Sequence, residues 1–290
     1  MILLTGATGT VGSELARLLS AKGIKFRAYS RNPKKAEDLK LPGMEVCMGD
    51  MADSRALDEA MKGVDRVFLL SSPDPRQAEL QGNVIRAAKR AGVSLIVKQS
   101  AFGAGPDSPV ALARWHYETE RELRDSGVPY CILRPMMFMQ GLFMHANAIK
   151  SEGVLRVPMK KAKVSLIDAR DIAKCAAVIL TGTGHEGKIY ELTGPEAVDY
   201  ERIAEALSDV CGKHVRYEDT TLEEAEKGMI RAGLPEWLAE DIRGLFAIFS
   251  SGGAARIRPT VLDITGEPAR SIEEFCHDFA PVFHGELVHH

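Results

Sequence analysis

Apolar and polar positions along the first half of the chain alternate between two periods. Residues 1–5 form a short apolar run, and beyond the turn Gly6-Ala7-Thr8-Gly9-Thr10-Val11-Gly12 the residues Val11, Leu15, Leu18 and Leu19 recur at i, i+4, i+7 and i+8, one face of a helix. The pattern predicts strand, glycine turn, helix. Short apolar runs at 24–29, 44–48, 66–71, 94–99 and 130–133 predict further strands, with helices near 54–61, 77–91 and 113–126. Such alternation predicts an α/β fold with a parallel sheet and helices on both faces.

After a segment at 163–180 that ends in a helical pattern, 190–195 supplies a last strand and a sharp stop at Pro195. From Glu196 onward the pattern changes to helices, at 200–211, 222–232, 235–250 and 271–279, with 250–253 as a loop. The apolar stretch from Gly244 to Phe249 suits either the floor of a cleft or a core seam. There are no internal repeats or low-complexity tracts.

Composition narrows the classes without choosing among them. The 290 residues, 45% hydrophobic and 27% charged, suit a soluble globular chain of one large domain or one plus a small second one. A net charge of −3 gives no footprint for nucleic acid or an anionic membrane. No stretch approaches eighteen uncharged apolar residues, and the start of the chain reads as a core strand, so neither a membrane span nor a secretory signal is expected. Five scattered cysteines without Cys or His neighbours at ligand spacing point to a reduced, cytoplasmic protein with no metal site. His289-His290 is set aside as a tag remnant.

The glycine turn carries the chemistry. Gly6 makes a tight exit from the strand, Gly9 lets a pyrophosphate approach the backbone, and Gly12 lets the helix pack on the sheet. With Thr8, Thr10 and Val11 they frame the free N–H groups of a helix N-terminus, an anion cradle. The second strand ends at Ser30-Arg31-Asn32 with Lys34 and Lys35 behind, where an NAD-selective site would place an acid for the ribose. Cations there suit a 2′-phosphate, so NADP(H) is expected, with NAD(H) as the alternative, and Arg31 is its foremost partner because of its planar fork. Asp50 suits the adenine or ribose, whereas Asp53 suits a helix cap. Leu70, Ser71 and Ser72 follow the fourth strand, at the carboxyl edge where α/β sheets bind ligands.

TGATGTVG resembles the TGxTGxxG pattern of extended and atypical short-chain dehydrogenase/reductases, and Ile132-Leu133-Arg134-Pro135-Met136-Met137-Phe138 resembles the ILRP…F signature of their NmrA-like group. The resemblance implies a Rossmann-type doubly wound sheet at 1–135, completed by about 163–195. It implies a smaller, mainly helical substrate lobe from 136–162 and 196–285. It places Ser100, Arg134 and Pro135 beside the nicotinamide, and Phe102, Met136, Met137, Phe138 and Met139 around the substrate. Gln140-Gly141 departs from the group's asparagine, and Asp171 falls where a residue caps or orients the following helix.

The Tyr-x-x-x-Lys pair of ordinary short-chain reductases is missing; Tyr117-x-x-x-Arg121 stands in its region. By the resemblance His116 falls where isoflavone-reductase-like members have a lysine, and histidine can donate a proton near neutral pH. His116 is therefore the first catalytic candidate, followed by Tyr117, which points about 100° away on a helix, and Ser100. The expected activity is NADPH-dependent hydride transfer to a flat, electron-poor small molecule: a quinone, an azo or triphenylmethane dye, or an iminium. A non-catalytic NADP(H)-sensing regulator of a partner protein is the alternative, and sugar-nucleotide epimerase chemistry lacks its tyrosine base. A monomer or homodimer is expected.

Overall fold

Residues 1–285 are described by a computed structural model, and His289-His290 lies outside them. The first half runs β1 (Ile2–Thr5), α1 (Thr10–Ala21), β2 (Phe26–Ser30), α2 (Pro33–Asp38), β3 (Met44–Met48), α3 (Ser54–Ala60), β4 (Arg66–Leu69), α4 (Gln77–Ala91), β5 (Leu95–Gln99), α5 (Ala111–Asp125) and β6 (Tyr130–Pro135). A 3-10 turn at Met139–His145 leads to α6 (Ala146–Glu152), β7 (Val154–Val157), α7 (Ala169–Thr181), β8 (Lys188–Leu192), α8 (Tyr200–Cys211) and β9 (Arg216–Asp219). The chain continues through α9 (Leu222–Arg231), α10 (Glu236–Ile248), α11 (Thr260–Thr265), α12 (Ile272–Asp278) and α13 (Ala280–His284).

The main sheet has the order β3-β2-β1-β4-β5-β6-β8, every pair parallel. It is doubly wound, and the strand order reverses between β1 and β4. Side chains alternate across it: Ile2 and Leu4 enter one apolar layer and Leu3 the other, as do Cys131 and Leu133 against Ile132. Both faces are covered, by α1 and α7 on one side and by α3, α4 and α5 on the other, which is why these strands read as continuous apolar runs. No helix among the described residues is long and apolar enough to cross a membrane.

Several expectations are corrected. The fourth strand ends at Leu69 because the Thr5 hydroxyl takes over its ladder: Thr5 Oγ1 lies 2.8 Å from Leu70 O and accepts from Leu70 N at 2.9 Å. Leu70 and Ser71 are thereby turned out of the sheet. The region after Glu196 is not purely helical, since β9 pairs with β7 in a second, two-stranded parallel sheet. Its charged residues, Arg156, Arg216 and Glu218, hide the strand pattern. Residues 250–253 are not a loop but close a π-type turn, Phe249–Gly253. Asp168, not Asp171, caps α7, accepting from Arg170 N at 2.8 Å. Asp171 lies one turn in, buried and bonded to the backbone and guanidinium of Arg270.

Candidate active site

Strand β1 delivers the chain into a turn that only glycines can make. Gly6 has φ +65°, and a Cβ on Gly12 would stand 2.1 Å from the Gly6 carbonyl oxygen, inside the closest approach of any two such atoms. Helix α1 thus sits directly on the turn. Its N-cap is Gly9, with no side chain to occupy the first-turn N–H groups. They remain available to an anion, at the positive end of the helix dipole.

One groove leads from this cradle toward β2 and β3. Gly6, Thr8, Ser30, Arg31, Asn32, Lys35, Asp50, Met51, Ser71 and Ser72 line a volume of about 240 Å³. The Arg31 guanidinium, 57% exposed, lies 3.7 Å from an Asp50 carboxylate oxygen. Asn32 is committed locally, its side chain capping α2 by accepting from Lys35 N at 3.1 Å, and the Ser30 hydroxyl accepts from Asn32 N. Asp53 caps α3. Tyr29 donates to the Asp50 carbonyl at 2.8 Å and packs under Gly49, which shapes the floor beneath Asp50.

The same cradle opens on its other side into a chamber of about 450 Å³. Thr8, Gly9, Thr10, Val11, Leu70, Ser71, Ser72 and Gln77 form one wall; Gln99, Ser100, Phe102, Leu112 and His116 a second; and Pro135, Met136, Met137, Phe138, Leu245 and Phe249 the third. Gly6, Thr8, Lys35, Ser71 and Ser72 belong to both spaces, so the two are one continuous cleft along the carboxyl edge of the sheet, at the point where the strand order reverses. Among the described residues, no carboxylate lines the chamber. The chamber is more apolar than the groove.

Behind the chamber is a buried polar cluster. Lys98 of β5 is fully buried, and its ammonium reaches Gln81 Oε1 at 2.7 Å, the Gln99 carbonyl at 3.1 Å and His116 Nδ1 at 3.2 Å. Burial pushes Lys98 down to about 7, with Glu120 opposing, and burial together with Lys98 holds the His116 imidazole well below the ordinary histidine range. His116 is therefore neutral. One turn along α5, the buried Glu120 accepts from Ser100 Oγ at 2.6 Å and from Arg134 Nε and Nη2 at 2.9 and 2.5 Å. At the far end of the chamber, Asp241 of α10 holds Ala111 N and Leu112 N of α5 at 2.6 and 2.7 Å, fixing the helix that carries His116.

Most residues singled out in the sequence line this cleft; four do not. Gly12 lies beneath it as a packing glycine. Arg134 turns its guanidinium into Glu120, and Met139 is buried in the core. Tyr117 faces a separate surface hollow with Arg114 and Arg121, on the other side of α5 from His116, with the Arg124 guanidinium over its ring. Gln140 bridges Asp168 and the amide of Ala169, so the glutamine ties the 3-10 turn to α7. The 244–249 stretch does both jobs considered for it: Leu245 and Phe249 line the chamber while Phe249 also joins the core.

Lys35, named in the sequence among the cations behind the second strand, lines the cleft; sequence reasoning missed Gln77, Gln81, Lys98, Gln99 and Glu120. A signal existed for two of them, because a lysine and a glutamine inside the apolar strand LIVKQ have no place in a core without partners. Gln77 Nε2 and Gln99 Oε1 are buried without a hydrogen-bond partner among the described residues, and both side chains line the chamber. Unsatisfied buried amides beside an empty-handed N–H cradle fit a polar ligand threaded through the cleft. A dinucleotide matches the cleft's division into a cationic groove, an anion cradle and an apolar chamber.

A family profile matches residues 1–275. The chain is 41% identical, over 98% of its own length and 99% of the relative's, to an NAD(P)H azoreductase of Xenophilus azovorans. Its fold superimposes with a TM-score of 0.86 on an NADPH-dependent quinone oxidoreductase of Escherichia coli complexed with NADPH, at 33% identity, covering 96% and 99% of the two chains. It superimposes with a TM-score of 0.85 on the Citrobacter triphenylmethane reductase complexed with NADP(H), at 29% identity, covering 97% and 100%. By sequence and by fold, the chain belongs to the NmrA-like family.

Proposed function

We propose that this protein is an NADPH-dependent oxidoreductase that passes hydride to a flat, electron-poor aromatic acceptor, a quinone or an azo compound foremost. The observation that carries the reading is the single cleft in which a phosphate cradle separates the Arg31 and Lys35 groove from the apolar chamber under His116. Relatives named for azo and quinone reduction, alike over nearly the whole chain, support it. NADPH supplies the hydride when bound.

The chain's own residues do the rest. The α1 N-terminus and Thr8, Thr10, Ser71 and Ser72 hold the pyrophosphate, and Arg31 and Lys35 hold the 2′-phosphate. Phe102, Met136, Met137, Phe138, Leu245 and Phe249 press a planar acceptor into place and exclude water, with methionines adapting to its outline. His116, neutral, donates from Nε2 to the acceptor oxygen or nitrogen that becomes negative. Residues 136–162 and 196–285 thus supply much of the acceptor-side wall. Arg134 organises Ser100 through Glu120 and does not touch substrate. The acid-free chamber favours neutral or anionic acceptors over cationic dyes and iminium ions, and its existence favours turnover over cofactor sensing. Five free cysteines suit the reducing cytoplasm.

The test is NADPH oxidation followed at fixed ionic strength with a panel of quinones and azo compounds, in wild type and His116→Ala. Turnover that drops about 100-fold in the variant with the NADPH Kd held within threefold is expected. Tight NADPH binding with no turnover on any acceptor would return the protein to the sensor reading.

A further inference from the structure

Lys98 is a buried ionisable group for which nucleotide binding has no use: it touches neither groove nor chamber. Its three ammonium protons face three acceptors, Gln81 Oε1, the Gln99 carbonyl and His116 Nδ1, so no carboxylate directly compensates the charge. The nearby titratable groups are Glu120 on α5, a charge itself engaged by Arg134 of β6 and Ser100, and the neutral His116. Gln81 in turn donates to Ser71 Oγ at 2.8 Å, and Ser71 lines both halves of the cleft. A cation kept in a core with neutral partners is costly, and an apolar side chain would fill the strand position at no such cost.

Resting on the proposed reductase activity, we infer that Lys98 is a positioning residue that locks His116 in its Nε2–H form and passes a proton to Nδ1 when Nε2 gives its own away. By occupying Nδ1 as a donor, the ammonium leaves the ring's one proton on Nε2, the nitrogen free to face the chamber. When the reduced acceptor carries a negative oxygen or nitrogen, the Nε2–H bond breaks and an O–H or N–H bond forms on the acceptor. One Nζ–H bond breaks in the same movement and an Nδ1–H bond forms. His116 ends neutral in the other tautomer and Lys98 ends as a neutral amine. After product leaves, a hydronium ion from solvent entering the open chamber gives its proton to Nε2 and departs as water, Nδ1 returns its proton to Nζ, and the cycle consumes one solvent proton per turnover.

A lysine titrating near 7 can hold its proton and release it within one cycle. Reduction of quinones and azo compounds, which need this proton, therefore falls as pH rises through about 7.

Two measurements test the inference. In ¹⁵N NMR of the wild-type protein below pH 7, the His116 ring, assigned by its loss in His116→Asn, should show a protonated Nε2 and an accepting Nδ1. An Nδ1–H tautomer or an imidazolium overturns the inference, whatever the enzyme does. In the second, Lys98→Met is compared with wild type on a quinone and on a cationic triphenylmethane dye, which accepts hydride without a proton. Quinone turnover should fall at least tenfold more than dye turnover and lose its decline above pH 7, with the NADPH Kd, read by fluorescence, within threefold. Equal losses on the two acceptors, or a pH profile unchanged from wild type, overturn it. Should Lys98→Met fail to fold, Lys98→Gln and the wild-type NMR decide in the same way. A wild type that oxidises NADPH with neither acceptor sinks the reductase reading alone, because the tautomer is read without turnover.

Discussion

Arg31→Ala is the sharpest probe of how the cleft reads its cofactor. The guanidinium stands at the groove rim, more than half exposed, with Asp50 3.7 Å away as its only ion-pair partner among the described residues. A charge-assisted hydrogen bond to a phosphate contributes about 1.5–3 kcal/mol when well shielded. At 57% exposure the lower end applies, and competition from Asp50 trims it further. About 1.4 kcal/mol remains, or roughly tenfold in NADPH affinity. NADH lacks the 2′-phosphate, and its affinity should hold within twofold or rise slightly as the Asp50 carboxylate is freed to accept from the ribose. Nucleotide fluorescence titrations of both cofactors, in wild type and variant at low and moderate salt, provide the assay. The wild-type NADPH preference should also shrink with salt, because an exposed contact is screened. Equal loss for the two cofactors, or a preference untouched by the substitution, would refute the assignment and move it to Lys35.

Further predictions follow from the cradle, the Glu120–Arg134 pair and a half-buried histidine. Gly12→Ala forces a methyl to within 2.1 Å of the Gly6 carbonyl, displacing helix from turn, so NADPH and NADH affinity should fall together by about 10- to 100-fold; a selective loss of one cofactor would contradict the packing argument. Glu120→Gln removes the charge that binds Arg134 and Ser100 in a buried site and should lower unfolding free energy in urea by about 3 kcal/mol, whereas a loss under about 1 kcal/mol would show that Arg134 finds another partner. Burial holds His145 at about 4 against 6.5 in the open chain. The unfolded chain takes up this proton first, so the contribution is intact above pH 6.5 and is lost as pH falls toward 4, by at most about 3 kcal/mol. His145→Gln should flatten that limb of the stability profile, and an unchanged slope would locate the acid sensitivity elsewhere.

Much of the site was legible because its parts are local. Gly6, Gly9 and Gly12 lie close together in the chain, and the backbone there favours glycine at Gly6 by its positive φ and at Gly12 by its close approach to the Gly6 carbonyl. Ser30 to Asn32 and Leu70 to Ser72 follow strands, and the carboxyl edge of a parallel sheet is where a cleft forms. His116 was placed in the sequence by resemblance, and the fold brings it to the chamber wall beside Ser100 and Phe102. Tyr117 and Arg134 could not be placed by pattern. Neighbours on a helix diverge by about 100°, and which way a long arginine turns depends on a carboxylate, Glu120, fourteen residues earlier in the chain.

Alone, the amino-acid sequence determined the alternating strands and helices, the glycine turn before α1 and the cationic loop behind β2, since periodicity and glycine conformation are properties of adjacent residues. Tertiary structure alone decided the partners. Lys98 meets Gln81 and His116 across seventeen and eighteen residues, and Asp241 reaches back 130 residues to cap α5. Strands β7 and β9 find each other across sixty residues despite charged faces. The reason is physical: a buried polar group must be satisfied by whatever the packed sheet brings within 3 Å, and one-dimensional pattern carries no record of which residue that will be.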